Sequence, residues 1–74
     1  MQNIKLGVYK HYKGRKYLVI GIARHSETLE EMIVYIDLYE NEQGHMWIRP
    51  VKMFFEYVEV NGIKVQRFKF IKTI

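Results

Sequence analysis

The dipeptide Asn61-Gly62 constrains this chain more than any other local feature. Both residues tolerate positive φ, as the two central positions of a type I′ turn require, and the flanks are rich in β-forming residues. A two-residue loop there pairs Val60 with Ile63, Glu59 with Lys64 and Val58 with Val65. Apolar meets apolar and acid meets base in that register, which supports it independently. Beyond Val65 the parity changes, because Ile63 and Val65 mark one face while Phe68 and Phe70 fall on the other. A bulge or bend near Gln66-Arg67 is the expected cause.

The rest of the chain reads in the same terms. Tyr12-Lys13-Gly14-Arg15 is a turn between two alternating runs, Leu6 to Tyr12 and Tyr17 to Ala23. The second run is apolar on both parities, which predicts a central strand buried on both faces. Gly21 within it predicts close backbone approach or curvature. Residues 29–40 fit two templates. Leu29, Met32, Ile33 and Ile36 make a helical stripe, with Thr28 and Glu31 as a capping box. The density of β-branched and aromatic residues in Ile33-Val34-Tyr35-Ile36 favours a strand, which agrees with its neighbours. A polar turn, Asn41-Glu42-Gln43-Gly44, then leads into a short strand from His45 to Arg49. Pro50 ends it and opens one helical or 3-10 turn. Residues 1–74 therefore read as one mostly-β domain. The expected fold is a small SH3-like or OB-like barrel of five to six short strands, with a helical turn near residues 50–55.

A chain of 74 residues buries only about 60% of its unfolded surface, so its stability margin is thin. It contains no cysteine, which removes disulfides, cysteine-containing zinc sites and a thiol nucleophile together. Eleven aromatic residues (one Trp, six Tyr, four Phe) give it apolar surface to hide, and a homo-oligomer is one way to hide it. No apolar run reaches the length of a membrane span and no signal-peptide core is present, so a cytoplasmic protein without a membrane partner is expected.

Charge is distributed in blocks. Residues 1–24 hold six bases and no acid, residues 25–48 six acids and no base, and the remainder six bases and two acids. If the basic ends lie together they form one positive face suited to anionic partners; the alternative is simple pairing of basic with acidic segments.

Several linked motifs carry a resemblance. They are Gly7-Val8-Tyr9-Lys10-His11-Tyr12-Lys13-Gly14 followed by Tyr17, then Ala23-Arg24-His25-Ser26-Glu27-Thr28, Val34-Tyr35, Leu38-Tyr39, Trp47-Ile48-Arg49-Pro50, Met53-Phe54 and Arg67-Phe68. Together they resemble a small bacterial and phage domain of unknown function, number 1653 in that series. The resemblance spans nearly the whole chain and implies a compact β-rich domain. It implies no activity and carries over no functional residue.

Two sets of residues carry candidate chemistry. The polar run Arg24-His25-Ser26-Glu27-Thr28 follows the second strand, where a rigid scaffold would hold a binding loop. Arg24 suits bidentate phosphate binding, with Ser26 and Thr28 as hydroxyl donors. The structural alternative pairs Glu27 with Arg24 or Arg49 and gives the hydroxyls to the turn backbone. Catalysis is not expected: adjacent His25, Ser26 and Glu27 on an extended segment point in alternate directions and do not converge. His11, His25 and His45 lack metal-ligand spacing, so neither a metal nor a cofactor is expected.

The second set is aromatic and basic. Tyr9, Tyr12, Tyr17, Tyr35, Tyr39 and Trp47 are interleaved with Lys10, Lys13, Arg15, Arg24 and Arg49, the pairing that stacks bases and neutralises phosphates. Trp47, Met53, Phe54, Phe68 and Phe70 also suit a core. Tyr9, Tyr35 and Tyr39 suit an outer face, and Arg49 and Arg67 suit a ligand. The leading expectation is a non-catalytic module for a small anionic, nucleotide-type ligand, sequestering or sensing it as an oligomer. Its expected contacts are Arg24, His25, Ser26, Glu27, Thr28, Arg49, Trp47, Tyr9, Tyr35 and Arg67. A nucleic-acid-binding module and a protein-interaction module are the alternatives.

Overall fold

The computed structural model describes residues 4–73. In chain order the elements are β1 (Gly7–His11), β2 (Lys16–Arg24), β3 (Glu31–Asp37), β4 (Met46–Pro50), α1 (Val51–Phe54), β5 (Tyr57–Val60), β6 (Ile63–Gln66) and β7 (Phe68–Lys72). Five strands form one antiparallel sheet in the order β4-β3-β2-β1-β7, and β5 with β6 forms a separate ribbon. Residues 29–40 thus contain a strand, and the helical turn falls where Pro50 places it.

The ribbon follows the Asn61-Gly62 register: Val60 pairs with Ile63, Glu59 with Lys64 and Val58 with Val65. Both turn residues have positive φ (51° and 79°). The parity change occurs at Arg67, where the chain leaves the ribbon and enters the main sheet. Its amide donates to the Glu56 carbonyl (3.0 Å), and its carbonyl accepts from the Tyr12 amide (2.9 Å).

Three expectations need correction. The sheet has free edges at β4 and β7, so it does not close into a barrel, and the described residues form seven strands rather than five or six. The sheet does curl: the Arg49 guanidinium of β4 lies 5.7 Å from the centre of the Phe68 ring of β7, so side chains of the two edges meet. Second, β2 is buried on one face only. Val19 is 1% exposed, but its neighbour Ile20 is 43% exposed. Register partners share a face, so Val8, Leu18, Ile36 and Met46 form one row across the outer side of the sheet, and cover falls away along it from buried Val8 through half-buried Leu18 and Ile36 to exposed Met46. Third, of the two readings of Gly21 curvature holds and close approach does not: open space lies where a Cβ would be, and the register shifts between Val19 and Gly21.

The inner face carries the core. Tyr9, Val19, Ile33, Tyr35, Val51, Phe54 and Phe68 are buried together, with Phe54 stacked on Phe68 at 4.1 Å between ring centres. Met53, read as a core residue, is 45% exposed because the single turn of α1 turns only Val51 and Phe54 inward. Charge blocks are also placed by the topology. Lys10 of β1 pairs with Lys16 on one side and Lys69 on the other, so the two basic ends do lie side by side. The basic β2 also pairs with the acidic β3, with Arg24 opposite Glu31, although among the described residues the one ion pair formed is Arg67 with Glu56 (2.6 Å). No helix among them is long and apolar enough to cross a membrane.

Candidate anion-binding site

The residues expected to contact a ligand separate into three places. Arg24 to Thr28 lie where β2 turns back into β3. The His25 amide donates to the Glu30 carbonyl and the Leu29 amide to the His25 carbonyl, both at 2.8 Å, and Leu29 takes the left-handed conformation (φ 63°). Side chains complete that turn. His25 Nδ1 accepts from the amides of Glu27 (3.1 Å) and Thr28 (3.3 Å), and Thr28 Oγ1 accepts from the Glu30 amide (3.2 Å). Arg24 Nη1 donates to the Leu29 carbonyl at 3.4 Å. His25, Thr28 and Arg24 therefore satisfy backbone groups, as polar side chains in tight turns do. Arg24 and Lys52 border a cavity of about 300 Å³ whose lining also includes Glu30 and Glu31, so its two cations are offset by two carboxylates. Ser26 and Glu27 are exposed on the turn. Glu27 pairs with neither Arg24 nor Arg49.

Tyr9 is a correction. Its ring is 3% exposed and packs on Phe54 and Phe70, while its hydroxyl donates to the Lys5 carbonyl (2.8 Å). A tyrosine can go inward when a backbone carbonyl receives its hydroxyl. Arg67 is likewise engaged through Nη2 with Glu56.

The remaining three, Arg49, Trp47 and Tyr35, do converge. With Tyr17, Tyr39 and Asn41 they line a cavity of about 230 Å³ at the open seam of the curled sheet. Sheet register explains the convergence: Trp47, Tyr35 and Val19 form one inner row, and Asp37, Tyr17 and Tyr9 form the next. Tyr35 is only 5% exposed, so its ring belongs to the core and its hydroxyl to the site. Tyr17 stands edge-on to Tyr35 (5.4 Å) and to Tyr39 (5.6 Å), and its hydroxyl shares a 2.9 Å hydrogen bond with that of Tyr39. Trp47 Nε1 donates to Asp37 Oδ1. The other Asp37 oxygen is buried and has no hydrogen-bond partner among the described residues.

Electrostatics give this cavity its character. Arg49 is half-buried, stacked near Phe68, and donates through Nε to the Tyr35 hydroxyl at 3.4 Å. Among the described residues it has no carboxylate partner. A cation partly removed from water without a counter-charge is costly, and an incoming anion relieves that cost. Arg15 lies 4.3 Å over the Tyr39 ring and adds a second guanidinium at the rim. Burial, helped by the Tyr39 hydrogen bond and the fields of Tyr39, Tyr35 and Asp37, pushes the Tyr17 phenol well above its ordinary range. It therefore stays protonated and able to donate. Among the described residues no three His, Asp or Glu side chains gather as metal ligands do.

Beside Tyr17 lies a part of the surface that residue type alone did not assign. His11 packs on Phe68 (4.8 Å), Tyr12 (4.6 Å) and Tyr17 (6.4 Å). It also borders a cavity of about 530 Å³, together with Lys10, Lys64, Lys69, Tyr12 and Tyr57. Lys10 and Tyr12 belonged to the aromatic-basic set; Lys64, Lys69 and Tyr57 did not. The available signal was parity: Lys69 between Phe68 and Phe70 must face away from the core.

Burial lowers the pKa of His11, and the charges of Arg49, Arg67 and Lys13 lower it further. The unfolded chain then binds this proton more tightly than the native one. Its stabilising effect is present above the ordinary histidine value, about 6.5, and is lost as pH falls through that value toward the folded pKa. The melting temperature should therefore decline as pH drops below about 6.5. His11→Asn keeps an acceptor for the Lys13 amide, which His11 Nδ1 now supplies at 3.2 Å, and should flatten that acid limb. Melting curves from pH 5 to 8 check it; an equal decline in the variant contradicts it.

Comparison with known proteins adds two matches. The family described as "Protein of unknown function (DUF1653)" matches residues 7–70. A crystal structure of a Bordetella bronchiseptica protein belonging to DUF1653 is similar at 36% identity, with a TM-score of 0.92, covering 100% of this chain and 95% of that one. No curated protein matches.

Proposed function

The chain belongs to DUF1653, a family whose description assigns no activity, and we propose from its site that it is a non-catalytic module for a small anionic, nucleotide-type ligand. One observation carries the proposal: Arg49 is half-buried, has no counter-ion among the described residues, and lies inside a wall of three tyrosines and a tryptophan. Arg49 pairs with phosphate, the exposed parts of Tyr39 and Trp47 stack the base, and Asn41 and the Tyr17 hydroxyl contact polar edges. The open, curled sheet then works in the manner of SH3-like and OB-like domains, offering a curved aromatic surface to its ligand. At about 230 Å³ the cavity lies below the roughly 300–1,000 Å³ of a pocket that encloses a whole small molecule, so it holds one part of a nucleotide.

Thermal-shift measurements with nucleoside monophosphates and diphosphates test this. A ligand bound only by the native state raises the melting temperature by mass action. Arg49→Gln should weaken binding about 10- to 100-fold, the range of a charge-assisted contact, while the unliganded melting temperature stays near that of the parent. A full panel without any shift overturns the proposal.

A further inference from the structure

We propose that the ligand of this site is a single nucleic-acid strand, with one nucleotide at Arg49 and the following phosphates in the lysine-lined cavity beyond His11. This rests on the function proposed above and names the ligand more closely.

The two cavities are neighbours: Tyr17 lines the smaller, His11 lines the larger, and the two rings stand edge-on at 6.4 Å. His11 in turn lies 4.6 Å from Tyr12, which also borders the larger cavity, while Phe68 supports His11 and Arg49 from the core. A path from Arg49 to Lys10 therefore runs over aromatic rings. Cations flank it throughout. Arg15 covers Tyr39 at the near end, Lys13 lies 5.9 Å over Tyr12 at the divide, and Lys10, Lys64 and Lys69 border the far cavity. Lys16, beside Lys10 in the next strand, continues the row on the outer face. Neighbouring lysines on paired strands repel one another, and Lys10 has one on each side. Glu59 stands opposite Lys64 in the ribbon, yet no ion pair forms between them.

A mononucleotide occupies one of these basins and leaves the other uncompensated. A strand offers phosphates and bases in repetition, which matches alternating cations and rings. The rings also select for single strands. Tyr12 and Tyr57 are 38% and 62% exposed in the larger cavity, and stacking on them requires bases freed from a duplex.

Fluorescence anisotropy with labelled thymidylates from one to eight nucleotides tests the inference on the unmodified protein. Affinity should rise with length by roughly tenfold or more before levelling off. A matched duplex should bind more weakly than the single strand. In the triple variant Lys10→Gln, Lys64→Gln, Lys69→Gln, affinity for thymidine monophosphate should persist while the gain with length disappears. The salt slope should fall by about 0.7 per lysine. The length series does not depend on the variant folding. If thymidine monophosphate binds and longer strands bind no better, or the duplex binds as well, this inference fails and the nucleotide site stands. If neither mononucleotide nor strand binds, both fail.

Discussion

Phe54→Ala is expected to remove most of the protein's stability. Phe54 is 0% exposed, and α1, the element that carries it, is a single turn. Its ring stacks on Phe68 at 4.1 Å and meets Tyr9 (5.3 Å), Tyr35 (5.5 Å) and Phe55 (5.0 Å) edge-on. No other ring can take its place, because these four already surround it. Truncating a buried phenylalanine costs about 3–5 kcal/mol. At about 0.05–0.15 kcal/mol per residue, a chain this short has roughly 4–11 kcal/mol in total. The melting temperature should drop by more than about 10 °C. Circular dichroism melting or urea titration measures it; a loss under about 1 kcal/mol would show that the core is centred elsewhere.

Gly7→Ala should have the next largest effect, at a position with no side chain to lose. Gly7 has φ 147°, a conformation that other residues rarely adopt. An added Cβ would overlap the Lys72 carbonyl oxygen and lie 2.9 Å from the Thr73 Cα. Both obstacles are backbone, so neither can rotate aside. The clash falls where β1 pairs with β7, beside the register shift between Val8 and Tyr9. Strain and overpacking together should cost about 2–4 kcal/mol. Gly21→Ala is the control: it has open space and ordinary φ, so its effect should stay within about 1 kcal/mol. Equal effects at the two positions would contradict the packing of β7 on β1.

How much could be read beforehand depended on whether a feature was local. The Asn61-Gly62 hairpin needs only neighbouring residues, and its register was legible to the pair. So were the parity change at Arg67 and the turn after Pro50, since backbone chemistry dictates both. Burial of β2 was not, because an apolar run says nothing about whether a second layer exists to cover it. Tyr9 and Tyr35 were assigned outward on their hydroxyls. Their rings went inward because the Lys5 carbonyl and Arg49 meet those hydroxyls, and neither contact is visible from residue type.

The candidate site divides along the same line. Arg24 to Thr28 drew notice as consecutive polar residues, but a tight turn uses such residues on its own backbone. Arg49, Trp47 and Tyr35 were identified individually. That they share a cavity with Tyr17 and Tyr39 follows from strand register and from the curl that brings the two sheet edges together. The lysine cavity depends on contacts still more distant in sequence, between the β5–β6 ribbon and the β1–β7 pair.

The most direct measurement of where an anion binds is an NMR titration with a nucleoside monophosphate. The expected result is that the Trp47 indole N–H and the Arg49 Nε–H shift most, with the amides of Arg24 to Thr28 unmoved. Shifts confined to Arg24 to Thr28, with Trp47 and Arg49 silent, would contradict a binding site at the seam.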